Sequence, residues 1–179
     1  MKVDLGTFPE IIIRNNPIFR DDRGQVTKFE LPILDSNFTS ILISKNTLAG
    51  TVRGLHFQIP PHGEIKLVSC MKGKIVDYVL DIRQDSSNFG SWAQLILDDV
   101  NQQSILIPNG FAHGFQSLLP NTEVLYAISG SFSPDHSLTI NVNDPDIALD
   151  FPLAISSITD KDRNAMRLVE YLEMRIDWK

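Results

Sequence analysis

The chain has 179 residues, of which 42% are hydrophobic and 21% are charged, and its formal net charge is −6 at pH 7. This length favours a single domain over residues 1–179 that buries a core without disulfides. The negative charge argues against a nucleic-acid partner. No apolar stretch approaches the roughly 18 residues that span a bilayer, and no leader opens the chain, so no membrane partner is predicted.

The central part of the chain, from about residue 38 to 142, alternates short apolar runs with turn residues. Many short strands at close spacing favour an antiparallel sandwich or barrel over alternating strands and helices. Examples of these predicted strands are 39–43, 66–71, 75–82, 92–97, 104–107, 123–128 and 138–142.

A single helix is predicted near the end of the chain. Thr159 or Asp160 is suited to cap it, and Met166, Val169 and Leu172 recur at helical spacing after the cap. The sequence therefore predicts an all-β domain with a short C-terminal helical segment.

The single cysteine, Cys70, lies in an apolar run and has no partner for an intrachain disulfide. A buried free thiol in a reducing cytoplasm is the simplest interpretation. The predicted localisation is therefore cytoplasmic.

Two segments carry most of the functional information. One runs from Gly50 through His56 and Lys66 to Gly73, and the other is Pro-Asn-Gly-Phe-Ala-His at 108–113. Their spacing resembles the two motifs of the cupin superfamily, whose fold is a small jelly-roll β-barrel. The resemblance implies a cupin-type barrel here.

Two of the positions that hold metal ligands in cupins are changed, since they carry Gln58 and Lys66. A cupin metal site needs about three imidazoles and one carboxylate, all electron-pair donors. An ammonium group donates three hydrogen bonds and accepts none, so Lys66 is unsuited to bind a cation. Strand alternation places Lys66 on the inward side, where it would meet an anion or a developing negative charge. No metal is predicted.

A narrower resemblance covers nearly the whole chain up to about residue 165. The sequence is similar to dTDP-4-dehydrorhamnose 3,5-epimerase and its relatives, and the Arg-Gly-Leu-His and Gly-Phe-Ala-His-Gly-Phe segments are the most specific part. The matching segments are 19–24, 52–58, 66–68, 81–83, 89–92, 107–115, 123–126, 143–145 and 150–153.

The resemblance implies four catalytic residues. His56 resembles the family's base, Asp162 the acid paired with that base, Tyr126 the proton donor, and Lys66 the residue beside the substrate's keto oxygen. Asp160 lies two residues from Asp162 and remains an alternative partner of His56. This set suits proton removal next to a ketone, which needs a base of near-neutral pKa and a fixed cation at the carbonyl oxygen.

Binding roles follow in the same way from the resemblance. Arg53, Gln58 and His113 resemble substrate-binding residues, Arg23 resembles a contact to the nucleotide diphosphate, and Phe132 stands where the family often has a tyrosine that stacks on the base. The implied ligand is a nucleotide sugar, no cofactor is required, and the implied assembly is a homodimer in which Arg23 serves the partner's site.

Departures from the family pattern cluster away from the proposed chemistry. Ile41 and Ile43 stand where two polar groups contact substrate, and Lys28 and Ser137 stand where glutamates are usual. This pattern indicates an altered nucleotide, an altered sugar, or epimerisation at only one carbon.

Other readings remain open at this point. A sugar-nucleotide-binding cupin without turnover and a metal-dependent cupin enzyme are the two alternatives to an epimerase. His113 follows a Pro-x-Gly turn and has an alternative role in holding that loop. His62 and His136 lie in turns and are expected to be exposed to solvent.

Overall fold

Strands dominate the computed structural model, which describes residues 1–29 and 38–178. The strands are β1 (Ile12–Asn15), β2 (Ile18–Asp21), β3 (Gly24–Thr27), β4 (Phe38–Asn46), β5 (Val52–Gln58), β6 (Lys66–Lys72), β7 (Lys74–Asp81), β8 (Trp92–Asp98), β9 (Gln103–Ile107), β10 (Phe111–Ser117), β11 (Thr122–Ser129) and β12 (Ser137–Thr139). Two short helices follow, α1 (Asp160–Arg163) and α2 (Leu168–Glu173). The predicted all-β class is confirmed.

Two five-stranded antiparallel sheets and a separate hairpin make up the architecture. The first sheet has the order β1-β9-β6-β11-β4, the second has the order β12-β5-β10-β7-β8, and β2 pairs only with β3. Neighbours in space are mostly distant in sequence, as expected for a jelly roll rather than a meander. Strand β4 lies at one edge of the first sheet.

The core lies on both faces of the second sheet, because β7 is buried on both sides. One cluster fills the space between the two sheets, and its members include Val68, Cys70, Ile75, Val79 and Phe115. The other cluster packs the outer face of the second sheet against the C-terminal segment, and its members include Phe57, Val76, Tyr78, Leu168 and Tyr171. The C-terminal segment is therefore part of the domain core.

The predicted C-terminal helix is present as two pieces. Thr159 caps α1 by accepting a hydrogen bond from the Asp162 backbone N–H, and the helical conformation is interrupted before α2 begins at Leu168. Of the three apolar residues at helical spacing, Met166 packs against the core, but Val169 and Leu172 are exposed. The interruption changes the helical phase, so that Leu168 and Tyr171 face the core instead.

Cys70 is buried, as predicted. Burial raises the pKa of its thiol to about 12, which leaves the group protonated and unreactive near neutral pH. Among the described residues, no helix has the length and apolar character needed to cross a membrane.

Candidate active site

A cavity of about 520 Å³ opens between the inner faces of the two sheets. The four positions that correspond to the cupin metal-ligand set all line it, although β5, β6 and β10 supply them separately. Three further predicted residues lie in the same wall. The predicted residues that line this cavity are Arg53, His56, Gln58, Lys66, His113, Tyr126 and Phe132.

A bulge in β5 allows both Arg53 and His56 to face the cavity. His113 pairs with His56 and Phe115 pairs with Arg53, so two residues of β5 stand opposite the single Gly114 of β10. An extra residue in one strand reverses the normal alternation of side chains. Gly54 has φ of +125°, and a Cβ there would lie 2.5 Å from the Gly114 Cα, so only glycine fits.

His56 and Asp162 form a hydrogen-bonded pair. His56 Nε2 lies 2.7 Å from Asp162 Oδ1, and the Gly54 backbone N–H lies 3.4 Å from Oδ2. The carboxylate is buried, whereas 41% of the His56 side chain remains exposed to the cavity. Burial acts to raise the pKa of Asp162, but the hydrogen bond and charge of His56 outweigh it and lower the pKa. Asp162, not Asp160, is the residue that pairs with His56.

The Asp162→Asn substitution should lower the free energy of unfolding by about 1–3 kcal/mol at neutral pH, because it removes a buried charged hydrogen-bond acceptor. The folded-state pKa lies below the ordinary value of 3.8, so this stabilisation is complete above that value and is lost as pH falls through the folded pKa. Urea unfolding of both proteins from neutral to strongly acidic pH measures the difference. A difference that stays constant over that range would contradict the prediction.

Lys66 points into the cavity, as strand alternation predicted. Only 9% of its side chain is exposed. Its ammonium donates to the His56 backbone carbonyl at 3.0 Å and forms an ion pair with Glu64 Oε1 at 2.8 Å. The cation is thus held directly beside the strand that carries His56.

His113 forms a second His–Asp pair, in which its Nε2 lies 2.7 Å from Asp77 Oδ2. Both side chains are buried, and burial raises the pKa of Asp77 against the opposing charge of His113. Asp77 Oδ1 has no hydrogen-bond partner in the part of the chain that the structure describes. His113 is therefore fixed by a neighbouring strand, rather than by the loop that precedes it.

Tyr126 lies on β11 diagonally across from Lys66, whose partner in the register is Ile128. Its ring makes an edge contact with the His113 ring, with centroids 6.0 Å apart. Burial and then the nearby charge of Asp77 raise the pKa of the Tyr126 hydroxyl. The group therefore stays protonated near neutral pH, as a proton donor must.

Two of the predicted binding residues have structural partners of their own. Gln58 donates to the His62 carbonyl at 3.0 Å and accepts from the Ser133 backbone N–H at 2.6 Å, which ties two loops together. Arg53 Nε donates to Asn46 Oδ1 at 2.8 Å. Their predicted contacts to substrate stay predictions.

Arg23 and Phe132 differ in position. Phe132 lies at the cavity, where 72% of it is exposed and available for stacking. Arg23 lies in the β2–β3 hairpin, where its side chain is 89% exposed and pairs with Asp21. Arg23 is absent from the wall of the cavity in its own chain.

Three charged residues line the cavity without having been predicted: Lys45, Glu64 and Lys161. Lys161 is the neighbour of Asp162, and Glu64 is two residues before Lys66, so proximity to predicted residues was the available signal. Lys45 lies on the edge strand β4, where a charged residue is normally interpreted as solvent-facing.

The four departures from the family pattern separate in space. Ile43 and Ser137 line the cavity. Ile41 and Lys28 are not among the lining residues.

The expectation that His62 and His136 are solvent-exposed is wrong. Both are partly buried, and their rings pack at a centroid distance of 4.4 Å. Local turn chemistry could not show that the two turns meet.

The described residues contain no group of three or more His, Cys, Asp or Glu side chains arranged to hold a metal ion. Within the cavity, Gln58 and Lys66 occupy the positions where electron-pair donors would be required.

The fold and sequence match proteins of known activity. A family model described as dTDP-4-dehydrorhamnose 3,5-epimerase matches residues 6–170. A dTDP-4-dehydrorhamnose 3,5-epimerase from Shigella flexneri is 32% identical over 177 residues, which cover 95% of this chain and 97% of that protein. The enzyme of the same name from Mycobacterium tuberculosis is 41% identical over 120 residues, but the match covers 65% of this chain and only 59% of that relative.

A solved structure extends the comparison to the three-dimensional fold. The dTDP-6-deoxy-D-glucose-3,5-epimerase from Legionella pneumophila, in complex with dTDP-4-keto-L-rhamnose, superposes with a TM-score of 0.84 at 31% identity. The superposition covers 89% of this chain and 88% of that one. The predicted family resemblance and the predicted cupin-type barrel are both confirmed.

Proposed function

Because this chain belongs to the dTDP-4-dehydrorhamnose 3,5-epimerase family, we propose that it epimerises a nucleotide-activated 4-keto-6-deoxyhexose in deoxysugar biosynthesis. The reaction inverts C3, C5 or both by removing and returning a proton next to the ketone. The observation that carries this proposal is the convergence of His56, paired with Asp162, with Lys66 and Tyr126 on one cavity.

His56 acts as the base in this mechanism. The Asp162 carboxylate holds one ring nitrogen, fixes the tautomer and stabilises the imidazolium that forms when the proton is taken up. The other ring nitrogen is left for the substrate's C–H group. Because the pKa of Asp162 is lowered, the carboxylate stays ionised at the pH where a histidine can accept a proton.

Lys66 and Tyr126 complete the reaction. Negative charge develops on the keto oxygen as the proton leaves, and a preorganised ammonium group stabilises this charge without reorganisation. Tyr126 lies on the opposite sheet from His56, so its hydroxyl is suited to protonate the other face of the carbanion. Return of the proton to the opposite face inverts the centre.

The charge of the cavity wall supports a nucleotide diphosphate as the activating group. Lys45, Arg53 and Lys161 line the cavity together with Lys66, whereas Glu64 is the one carboxylate among the described residues that line it. Cations are the natural partners of a diphosphate. We assign Phe132 to the base, and Gln58 and His113 to the sugar, as the family resemblance implies.

Uptake of deuterium from heavy water into C3 or C5 of a 4-keto sugar nucleotide tests the proposal. NMR of dTDP, CDP, GDP and UDP sugars identifies both the nucleotide and the exchanged carbon. We expect uptake with at least one of them. Binding without uptake at either carbon would favour a binding protein without turnover, and loss of activity on removal of a stoichiometric metal would favour a metal-dependent cupin.

We also propose a homodimer, because two apolar surfaces of the described chain are left uncovered. Phe19 and Val26 are register partners on the β2–β3 hairpin and both are exposed. Ile41 and Ile43 are exposed on β4, at the edge of the first sheet. Mutual burial of such surfaces stabilises pairs of subunits. The exposed Arg23 on the same hairpin would then reach the partner's diphosphate site.

The Val26→Asp substitution should shift the dimer toward monomer, because burying an unpaired carboxylate at an interface is unfavourable. Sedimentation velocity over a range of concentrations measures the shift. The matched control is Val100→Asp, since Val100 is equally exposed but lies in the turn after β8. A monomeric parent protein, or a dimer unaffected by Val26→Asp, would contradict the proposal.

We place the reaction in the cytoplasm. The buried, unpaired thiol of Cys70 fits a reducing compartment, where free cysteines persist.

A further inference from the structure

Glu64 occupies an unusual position for a carboxylate, because it lines a cavity that we assign to an anionic ligand. It lies in the loop between β5 and β6, two residues before Lys66, and only 12% of its side chain is exposed. One carboxylate oxygen forms an ion pair with the Lys66 ammonium, with N and O 2.8 Å apart. The other lies 3.4 Å from Gln58 Nε2. The carboxylate is therefore held from both sides.

Two contacts hold the Lys66 ammonium group in place. It donates a hydrogen bond to the His56 carbonyl oxygen at 3.0 Å and forms an ion pair with Glu64 Oε1 at 2.8 Å. No other hydrogen bond of Lys66 is present among the described residues. Because an ammonium group carries three N–H groups, at least one of them remains available to a ligand in the cavity.

The partners of Glu64 are themselves anchored. Gln58 accepts from the Ser133 N–H and donates to the His62 carbonyl, so its amide cannot rotate freely. Two loops therefore hold Gln58, Gln58 contacts Glu64, and Glu64 in turn holds the Lys66 ammonium group. Without Glu64, the nearly buried ammonium would keep only the His56 carbonyl in direct contact, with the Asp77 carboxylate as a more distant charge, which is unfavourable for a charged group.

We propose that Glu64 is a positioning residue that directs the Lys66 ammonium toward the substrate's keto oxygen. This inference rests on the proposed epimerase function. In this role Glu64 does not contact the reacting atoms. It acts on Lys66 and takes no part in binding the diphosphate. Glu64 pairs with Lys66, so its negative charge does not neutralise the other cations that line the cavity.

The kinetic test compares Glu64→Ala with Glu64→Gln. We expect Glu64→Ala to reduce kcat for epimerisation by about 10- to 100-fold, the effect of a misplaced catalytic group. KM should not rise, because loss of a negative charge does not weaken the attraction of a diphosphate. Glu64→Gln keeps an acceptor oxygen and should restore kcat to within about threefold of the parent. A rise in KM with unchanged kcat would instead assign Glu64 to substrate contact and overturn the proposal.

The matched control is Glu123→Gln, which removes the same charge from an ion pair with Lys45 near the cavity mouth. This pair is longer, at 3.6 Å, and more exposed, so the variant should keep the parent kcat. An equal loss of kcat in Glu123→Gln and Glu64→Ala would attribute the effect to charge alone and overturn the positioning role.

A second readout does not depend on turnover. Acetic anhydride modifies unprotonated lysine amines, and peptide mass spectrometry follows the modification of Lys66 without any substrate. We expect Lys66 to react several-fold faster in Glu64→Ala than in the parent, with Glu64→Gln between the two, because the amide keeps an acceptor oxygen but loses the negative charge that favours the ammonium form. Equal rates in all three proteins would overturn the proposal. If the parent exchanges no substrate proton, the proposed function fails, while the acetylation rates still decide whether Glu64 holds Lys66.

Discussion

The His56→Ala variant should take up deuterium into a 4-keto sugar nucleotide about 10²–10⁴ times more slowly than the parent protein. Among the described cavity residues, His56 alone combines a partly exposed ring with a buried carboxylate partner, since Asp162 Oδ1 lies 2.7 Å from its Nε2. Without this ring, β5 offers the substrate no other imidazole or carboxylate that could accept its proton. NMR under single-turnover conditions in heavy water measures the exchange rate at C3 and C5 separately.

The control for this experiment is His62→Ala. His62 packs against His136 in the loop after β5, and its side chain is absent from the cavity wall. This variant should exchange at the parent rate. Circular dichroism and the thermal midpoint should show that His56→Ala remains folded, because the substitution removes a partly exposed ring. Parent-like exchange by a folded His56→Ala protein would place the base elsewhere.

The Tyr126→Phe variant should separate exchange from inversion. His56 can still remove a proton and return a deuteron to the same face, so deuterium uptake should continue. Protonation of the opposite face needs the Tyr126 hydroxyl, so formation of the inverted sugar should fall by about 10²–10⁴-fold. One NMR experiment in heavy water gives both quantities, since label and configuration are read from the same carbon.

Tyr171→Phe is the matched control for this variant. Its hydroxyl donates to the Ile82 carbonyl at 3.0 Å in the core behind the second sheet, outside the cavity. We expect this variant to lose some stability and to keep both exchange and inversion. If Tyr126→Phe inverts its substrate at the parent rate, another acid protonates the carbanion.

Most strands could be predicted because their residues alternate and turn residues separate them. Strand β7 was predicted over 75–82, and the structure places it at Lys74–Asp81. The C-terminal helix was predicted less well. Spacing alone favoured Val169 and Leu172 as buried, but the chain leaves the helical conformation after α1, and this change of phase buries Leu168 and Tyr171. A break without proline or glycine gives no sequence signal of its own.

The cavity could be predicted where a motif fixed the positions. His56, Lys66 and His113 lie on three different strands, and only a family pattern relates them. Asp162 was harder, because it approaches His56 from a segment 106 residues away. Glu64 was not predicted at all, since its importance depends on a contact to Lys66 that spacing along an irregular loop does not determine.

The origin of Asp162 has a consequence for how the enzyme becomes active during folding. All twelve described strands precede residue 140 in the chain, whereas the carboxylate that orients His56 is on the following segment. The same short helix carries Lys161, which lines the cavity beside Asp162. Until α1 docks against β5, the cavity therefore lacks both the partner of its base and one of its cations. Docking of the C-terminal segment thus completes the reactive group and the binding charge in a single step.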